Sequence, residues 1–433
     1  MLRFNASATL LSLWVTLGLS LAQSPSPGEP SISALIEDLA NRDYRRREAA
    51  LKQLESRSPD DLPALRRALE STTDAEVRRR LTGLVERLER AAVLAPKQLN
   101  IVVKDRPIQE VIREIARQTG YSIQYQGGGN QTVSLNRPRA TFWEVMDDLN
   151  RLTGATMYHN EGQGLIVYDQ DGYWPHTILH GPFRIVANNF SYHKNLQLGP
   201  VPKNPLHDHT RSESLTLTFQ LFSEPKLPIL GAGQPRLIEA IDEFGNSMKP
   251  VAAPHEVLYG GAVGGYRMFQ TGSNVILNWP NKDAKIVKRL QIALPLTLLA
   301  EQKPLITVEN ILKAKDHKAA QGEVELVVHE VKELNNTQYH VRMTVRNLAA
   351  NAAQDFNWMN SVHQRIELHD AQGNKYMPQG FNWENSNPGN VQATFMFGNN
   401  GRADLGPPAR LVYLHWSLMQ HTIEFQFRDL PLP

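Results

Sequence analysis

The spacing of apolar residues changes once along this chain, near residue 173, and this change constrains the fold more than any other feature. Before it, apolar residues recur every three or four positions, as on one face of a helix. After it they alternate with polar residues, as in Leu215, Leu217 and Phe219, which is typical of half-buried strands. The sequence therefore predicts a helix-rich first part and a β-rich remainder.

The first residues have the pattern of a secretory signal peptide. Arg3 precedes an apolar stretch over residues 8–21, and the small residues Ser20 and Ala22 match a cleavage site before Gln23. The alternative, an uncleaved membrane anchor, is disfavoured because the apolar run is shorter than the ~20 residues of a membrane span. We expect export to the periplasm or cell envelope, or to the outside of the cell, and no stable membrane span after cleavage.

Charge and cysteine content narrow the classes of partner and chemistry. The formal net charge is +2 at pH 7, so the chain as a whole does not attract polyanions, and a nucleic-acid partner is not expected. The chain has no cysteine, which excludes disulfides, thiolate metal sites and cysteine nucleophiles. An exported chain of this kind depends on packing alone.

Four amphipathic helices are predicted between residues 31 and 95. Two arginine runs, 45–47 and 78–80, are 33 residues apart and suggest two copies of one helical hairpin. The segment resembles a pair of HEAT-like repeats. The arginine runs allow a nucleic-acid interpretation, but acidic residues on the same helices favour a solvated, salt-bridged face.

Residues 97–171 contain an internal duplication at an offset of 34 residues. Each copy reads as a strand, a turn, a helix and a strand, and each predicted helix ends at a glycine, Gly120 or Gly154. These elements predict a small α+β sheet. The stretches LNIVVKDRPIQEVIREIARQTGYSIQY, VSLNRPRATFWEVMDDLNRLTG and GLIVYD resemble the short N-terminal domain of secretins and signalling TonB-dependent receptors. That resemblance implies a protein-interaction and ring-assembly role without catalysis, and the barrel that should follow is missing.

The β-rich remainder carries a repeated string, I-E-x-x-D-x-x-G-N, at residues 238–246 and 366–374. The repeat predicts two tandem, all-β sandwiches of immunoglobulin-like size. The end of the chain reads as two closing strands, at 411–416 and 422–427, and resembles the last hairpin of immunoglobulin-like domains in exported bacterial proteins.

Two stretches of the sequence contain side chains that could bind a metal ion. The Asp242 and Asp370 strings could offer oxygen ligands to calcium, but each supplies too few, so a hairpin turn is favoured. His207 and His209 could face one metal from a strand, but no third ligand is placed by spacing, so an exposed loop is favoured. We expect no metal site.

The sequence contains none of the common catalytic signatures, such as a nucleophile elbow, a metalloprotease helix or a phosphate-binding glycine loop. We therefore expect no catalytic residues and no cofactor. Spacing alone does not exclude a carboxylate pair for glycoside hydrolysis, because two such groups meet only in the fold.

Aromatic residues cluster late in the chain, where core packing is the default expectation. Trp358, Phe381 and Trp383 stand in asparagine-rich stretches that favour exposed loops, so they are the candidate binding surface.

The predicted architecture is multidomain, with all-α HEAT-like hairpins, a small α+β domain and two β-sandwiches. The predicted boundaries are a signal peptide at 1–22, a linker at 23–30, an α-helical domain at 31–95, an α+β domain at 97–171, and sandwiches at 173–310 and 311–433. The preferred function is a non-catalytic interaction or scaffolding protein that binds envelope proteins, with self-association left open. The alternative is a carbohydrate-binding protein or carbohydrate-active hydrolase with its site in the sandwiches.

Overall fold

The computed structural model describes residues 30–128, 130–160, 164–170, 172–196, 211–250, 265–335, 337–399, 401–402 and 404–433. The predicted signal peptide and the residues His207 and His209 lie outside these ranges. The described chain is mostly β, about 25% helix and 50% strand, with five sheets and seven α-helices among the described residues. It divides into two compact units, residues 1–92 and 93–433. Among the described helices, none is both long enough and apolar enough to span a membrane.

Helices make up the described part of the first unit. They are α1 (Ile32–Leu39), α2 (Tyr44–Glu55), α3 (Leu62–Ser71) and α4 (Ala75–Leu94). Side chains of Ser31 and Asp43 accept backbone N–H groups at the starts of α1 and α2, as helix-capping residues do. Each helix buries leucine or valine side chains in one small core.

The predicted HEAT-like repeat is wrong. A helical repeat stacks equivalent hairpins into a continuous core and needs three or more of them. Here the four helices have 8, 12, 10 and 20 residues and enclose a single small core. The second arginine run contributes ion pairs: Arg80 lies 2.8 Å from Glu48 and 2.7 Å from Glu76. The 33-residue spacing of the arginine runs therefore does not mark a stacking unit.

The second unit begins with the duplicated segment. Its elements are β1 (Gln98–Pro107), α5 (Ile108–Thr119), β2 (Ile123–Tyr125), β3 (Thr132–Thr141), α6 (Phe142–Thr153), β4 (Thr156–Asn160) and β5 (Gly164–Tyr168). Both helices end at a glycine with positive φ, 73° at Gly120 and 72° at Gly154, a conformation that glycine adopts without strain. The strands form two sheets instead of the one predicted, because β1 pairs with β3 while β2 and β4 both pair with β5.

Strands make up most of the rest of the second unit. They are β6 (Thr177–His180), β7 (Phe183–Leu196), β8 (Arg211–Ser223), β9 (Ile229–Ala232), β10 (Arg236–Asp242), β11 (Gln270–Leu277), β12 (Ile286–Glu309), β13 (His317–Gln321), β14 (Val324–Asn335), β15 (Gln338–Asn347), β16 (Ile366–Asp370), β17 (Met377–Asn387), β18 (Asn390–Gly398) and β19 (Pro408–Pro431). A short helix, α7 (Phe356–Ser361), precedes β16.

These strands form three sheets around two cores. Their orders are β11-β8-β7-β6, β10-β12-β19-β16 with β9 also on β12, and β13-β14-β15-β18-β17. One core contains side chains of the first two sheets and the other contains side chains of the last two. The middle sheet therefore serves both cores.

The middle sheet depends on β12 and β19, which are 24 residues long and antiparallel over their whole length. The predicted closing hairpin at 411–416 and 422–427 is wrong, since both halves belong to β19. Residues 417–421 read Ser-Leu-Met-Gln-His and hold no turn-forming Gly, Pro, Asn or Asp, so the strand continues. The predicted domain limits at 310 and 311 stay a prediction.

Candidate functional site

Trp358, predicted in an exposed loop, is buried. It lies on α7, its side chain is 5% exposed, and its Nε1 donates to the hydroxyl of Tyr413 at 3.0 Å. The Asp355 side chain accepts the backbone N–H of Trp358 at 2.8 Å and so starts the helix. The expectation of an exposed ring is wrong here because this cap and the core of β19 turn the indole inward, leaving Phe356 at the surface with 56% exposure.

Trp383 and Phe381 lie two residues apart on β17, the last strand of its sheet among the described residues. Trp383 is 41% exposed and Phe381 is half-buried against the second core. Residues two apart on a strand share a face, and here the two ring centroids are 4.8 Å apart in an edge-to-face arrangement. Phe381 and Trp383 are therefore in contact, as part of one surface. Trp358, the third predicted residue, is buried and does not belong to that surface.

Two further rings extend this pair into what we call the aromatic strip, formed by Tyr266, His363, Phe381 and Trp383. His363 stacks on Phe381 with centroids 4.6 Å apart, and the Tyr266 centroid lies 5.4 Å from that of His363. Tyr266 is 41% exposed, like Trp383 at the other end. Tyr266 lies far from Phe381 in sequence, so the spacing of residues gave no signal that these rings meet.

A cavity of about 310 Å³ lies between α7 and the middle sheet. Its wall combines aromatic, charged and apolar side chains from several elements. The lining residues are Leu230, Gly231, Ala232, Gly233, Gly265, Thr297, Asp355, Asn357, Trp358, Ser361, Arg365, Trp416 and Leu418. We call this the interlayer cavity. The sequence pattern singles out Trp358 but not Arg365 or Trp416, which lie about fifty positions apart in the chain.

Arg365 is the cation of the interlayer cavity. Its Nε donates to the Ser361 hydroxyl at 2.7 Å, and its guanidinium carbon lies 4.3 Å from the centroid of the Trp416 ring. Burial lowers the pKa of Arg365, and the nearby Tyr413 and Asp355 oppose that effect.

The two D-x-x-G-N strings form equivalent tight turns. In each, the aspartate accepts the backbone and side-chain N–H of the asparagine, at 2.8 and 2.9 Å for Asp242 and at 2.8 Å for both bonds of Asp370. Burial raises the pKa of each carboxyl, but these hydrogen bonds outweigh it and the net pKa is lowered. The carboxylates are thus used within the turns. Within the described ranges, no group of three or more His, Asp or Glu residues could hold a metal ion.

The fold and these features define a mostly β protein in which one sheet is shared by two of its cores. No family model and no curated protein matches the chain. One solved structure, described as the crystal structure of the conserved domain protein from Bacillus anthracis, aligns with 63% of this chain and 90% of its own at 8% identity, with a TM-score of 0.15. A likeness of that extent carries no argument about fold or function.

These comparisons also correct the resemblances drawn from the sequence. The helical segment is not a HEAT-like repeat, and no family model supports the secretin-like or immunoglobulin-like resemblance. The resemblance rested on the spacing of apolar residues and on a Thr-Gly pair at the end of each helix. Many strand–helix units share this pattern, so it does not identify one family.

Proposed function

We propose that this chain is a non-catalytic interaction protein of the cell envelope that binds another envelope protein through the aromatic strip. The single observation that carries the proposal is the row of four contacting rings with Tyr266 and Trp383 each 41% exposed at its ends. Exposed Trp and Tyr rings are enriched among the residues that contribute most to protein–protein binding. The envelope location rests on the signal-peptide pattern of residues 1–22.

The position of Phe381 and Trp383 on β17 favours an extended segment of the partner as the occupant. This strand pairs with β18 on one side and ends the sheet among the described residues on the other. An extended chain repeats every two residues, the same period as these two rings, and can add its own backbone hydrogen bonds at a sheet edge.

Site-specific photo-cross-linking in intact cells tests this proposal. A benzophenone side chain at position 383 should give a defined cross-linked adduct, whereas the same group at Phe244 should give none. Phe244 is a matched control because it is 62% exposed but lies in the turn after β10. The purified partner should bind Trp383→Ala at least tenfold more weakly than wild type, since truncating an interface tryptophan commonly costs about 2 kcal/mol or more. Equal adducts from both positions, or none from 383, would contradict the proposal.

The location is tested separately. The mature chain should be recovered from the envelope or periplasmic fraction with Gln23 as its first residue. Recovery from the cytoplasm with residues 1–22 attached would overturn the envelope part of the proposal while leaving the binding surface open to its own test.

Carbohydrate binding is the second candidate, favoured by the exposed Trp383 ring. An exposed aromatic face suits a sugar ring. A hydrolase would need two close carboxylates in a cleft, but Asp355 is the one carboxylate among the described lining residues of the interlayer cavity, and Glu384 beside Trp383 is paired with Arg342 at 2.8 Å. Co-sedimentation with purified peptidoglycan that is lost in Trp383→Ala would favour this candidate over a protein partner.

A further inference from the structure

The first core, which lies between the sheet β11-β8-β7-β6 and the middle sheet, is built from two distant stretches of the chain. Nineteen of its buried residues lie between Phe183 and Leu298, and six lie between Met419 and Leu432. The buried residues of the second core all lie between these two stretches, in the range 306–413. We call residues 419–432 the late segment, because they follow the other buried residues of both cores.

The late segment closes one side of the first core. It pairs with residues 286–298 of β12. Its Phe425 ring lies 5.4 Å from the Phe219 ring, and its His421 ring stacks on Phe183 with centroids 6.0 Å apart. Phe183 and Phe219 are fully buried, and without the late segment both rings would lose cover while this half of β12 would lose its partner on one edge. We therefore expect the first core to be unstable until the late segment docks.

The second core does not contain the late segment. The first half of β19 supplies Leu411 and Tyr413 to it, and these residues pair with Val308 and Ile306 in the second half of β12. The other strands of this core, β13, β14, β15, β18 and β17, lie between those two halves in the chain and pair with one another. All the buried residues that the second core needs are thus present before the late segment is made.

We propose that the late segment docks last, so that the first core closes only after the second core has folded. Pairing of Val308 with Leu411 closes a loop of about 100 residues, a cost that the contacts of the second core offset. Each later pair, toward Ile286 and Pro431, extends a ladder that already exists and closes no new loop of this size. This order of folding is the reverse of the order of synthesis, in which the first core's main stretch is made before the second core.

Late docking matters for a chain that crosses a membrane as an extended polypeptide, because a core that closes early would block its passage. The first core stays open until residues 419–432 are available, so it closes only when nearly all of the chain has crossed. This consequence rests on the proposed envelope location, whereas the order of folding does not. Refolding of the purified chain therefore tests the order of folding alone.

Pulsed hydrogen exchange during refolding of the full chain from urea is the direct measurement. Amides of β14, β15 and β18 should become protected first. Amides of β7, β8 and the late segment should become protected together, in a phase at least about threefold slower. Protection of β7 and β8 before β14 and β15, or before the late segment, would overturn the proposal, and so would protection of all these strands in a single phase.

Two matched variants test the same order in the folded protein. Phe425→Ala weakens docking of the late segment, so native-state exchange should become at least about tenfold faster in β7 and β8 but stay within about twofold of wild type in β14 and β15. Phe397 is the matched position, 2% exposed in the second core. Phe397→Ala should accelerate exchange in all four strands, because the late segment docks only onto a folded second core.

The asymmetry between the two variants is the decisive result. If Phe397→Ala left β7 and β8 protected, the first core would close without the second and the proposal would be wrong. Equal acceleration of all four strands by Phe425→Ala would show that both cores form one cooperative unit, which also contradicts it. The wild-type refolding measurement decides the question if either variant fails to fold.

Discussion

Trp358 and Trp416 show how one hydrogen bond distinguishes two otherwise similar buried residues. They are 5% and 4% exposed, and both line the interlayer cavity. One indole N–H is paired with a tyrosine hydroxyl at 3.0 Å, and the other has no acceptor among the described residues. The same substitution at the two positions should therefore have different effects on stability.

Trp358→Phe should lower the free energy of unfolding by about 1–3 kcal/mol, because it removes a buried hydrogen bond and leaves the Tyr413 hydroxyl with one partner fewer. Trp416→Phe removes a donor that has no acceptor in the described chain, so it should change the free energy of unfolding by less than about 1 kcal/mol. Urea unfolding of the two variants measures both. A larger loss in Trp416→Phe than in Trp358→Phe would contradict this pairing.

Some residue-scale features follow from local sequence and others do not. The D-x-x-G-N strings were predicted to be turns, and they form turns in which Gly245 and Gly373 have φ of 85° and 89°. Such turns are decided by residues within five positions. The burial of Trp358 was missed, because the asparagines beside it carry no information about the Tyr413 hydroxyl more than fifty residues away.

At the scale of elements, β19 is the strand on which both cores depend. Leu411 and Tyr413 in its first half pack in the second core, whereas Ile423, Phe425 and Phe427 in its second half pack in the first core. The strand thus contributes to a core most of whose other residues lie more than a hundred positions earlier in the chain.

Phe425→Ala should therefore destabilise the first core, although residue 425 belongs to the predicted second sandwich. The side chain is 4% exposed and its ring centroid lies 5.4 Å from that of Phe219. We expect a loss of about 3–5 kcal/mol in the free energy of unfolding, as for other buried phenylalanines. Hydrogen–deuterium exchange should become faster in β7 and β8.

Glu424→Ala is the control for this prediction, because Glu424 is exposed on the same strand. Its unfolding free energy should stay within about 0.5 kcal/mol of wild type. If exchange in the Phe425→Ala variant rose in β14 and β15 while β7 and β8 stayed protected, the shared strand would not support the first core.

At the scale of the whole second unit, buried polar contacts join the duplicated α+β segment to the strands after it. Glu224 is fully buried and accepts from the hydroxyl of Tyr121 at 2.6 Å and from the backbone N–H of Lys97 at 3.0 Å. Arg184, 3% exposed, lies 3.0 Å from Asp147 on α6. Such contacts hold a specific geometry because each buried group loses its partner if the two parts separate.

Glu224 should make stability depend on pH. Burial raises the pKa of its carboxyl above the ordinary 4.5, although the hydrogen bonds from Tyr121 and Lys97 oppose this. The folded protein therefore holds the proton more tightly than the unfolded chain, so this contribution to stability is complete below pH 4.5 and is lost as pH rises through the folded pKa.

Glu224→Gln, which cannot ionise, should be more stable relative to wild type at pH 7 than at pH 4. Urea unfolding of both proteins at pH values from 4 to 8 measures the difference. The opposite result would be a free energy of unfolding of Glu224→Gln that falls relative to wild type as pH rises. It would mean that the fold stabilises the Glu224 carboxylate and that the pKa of Glu224 is lowered instead of raised.

Sequence alone determined the features that depend on near neighbours. These are the helices of the first unit and their capped ends, the strand–helix duplication with its terminal glycines, the alternating strands and the two tight turns, because spacing and local hydrogen bonds suffice for them. Only the tertiary structure decided which strands share a sheet, that one strand serves two cores, and that Trp416 and Arg365 meet in a cavity. The physical reason is that these three features depend on how side chains far apart in the chain pack together. The periodicity of apolar residues predicts that a face of a helix or strand is buried, but it does not predict which element covers that face.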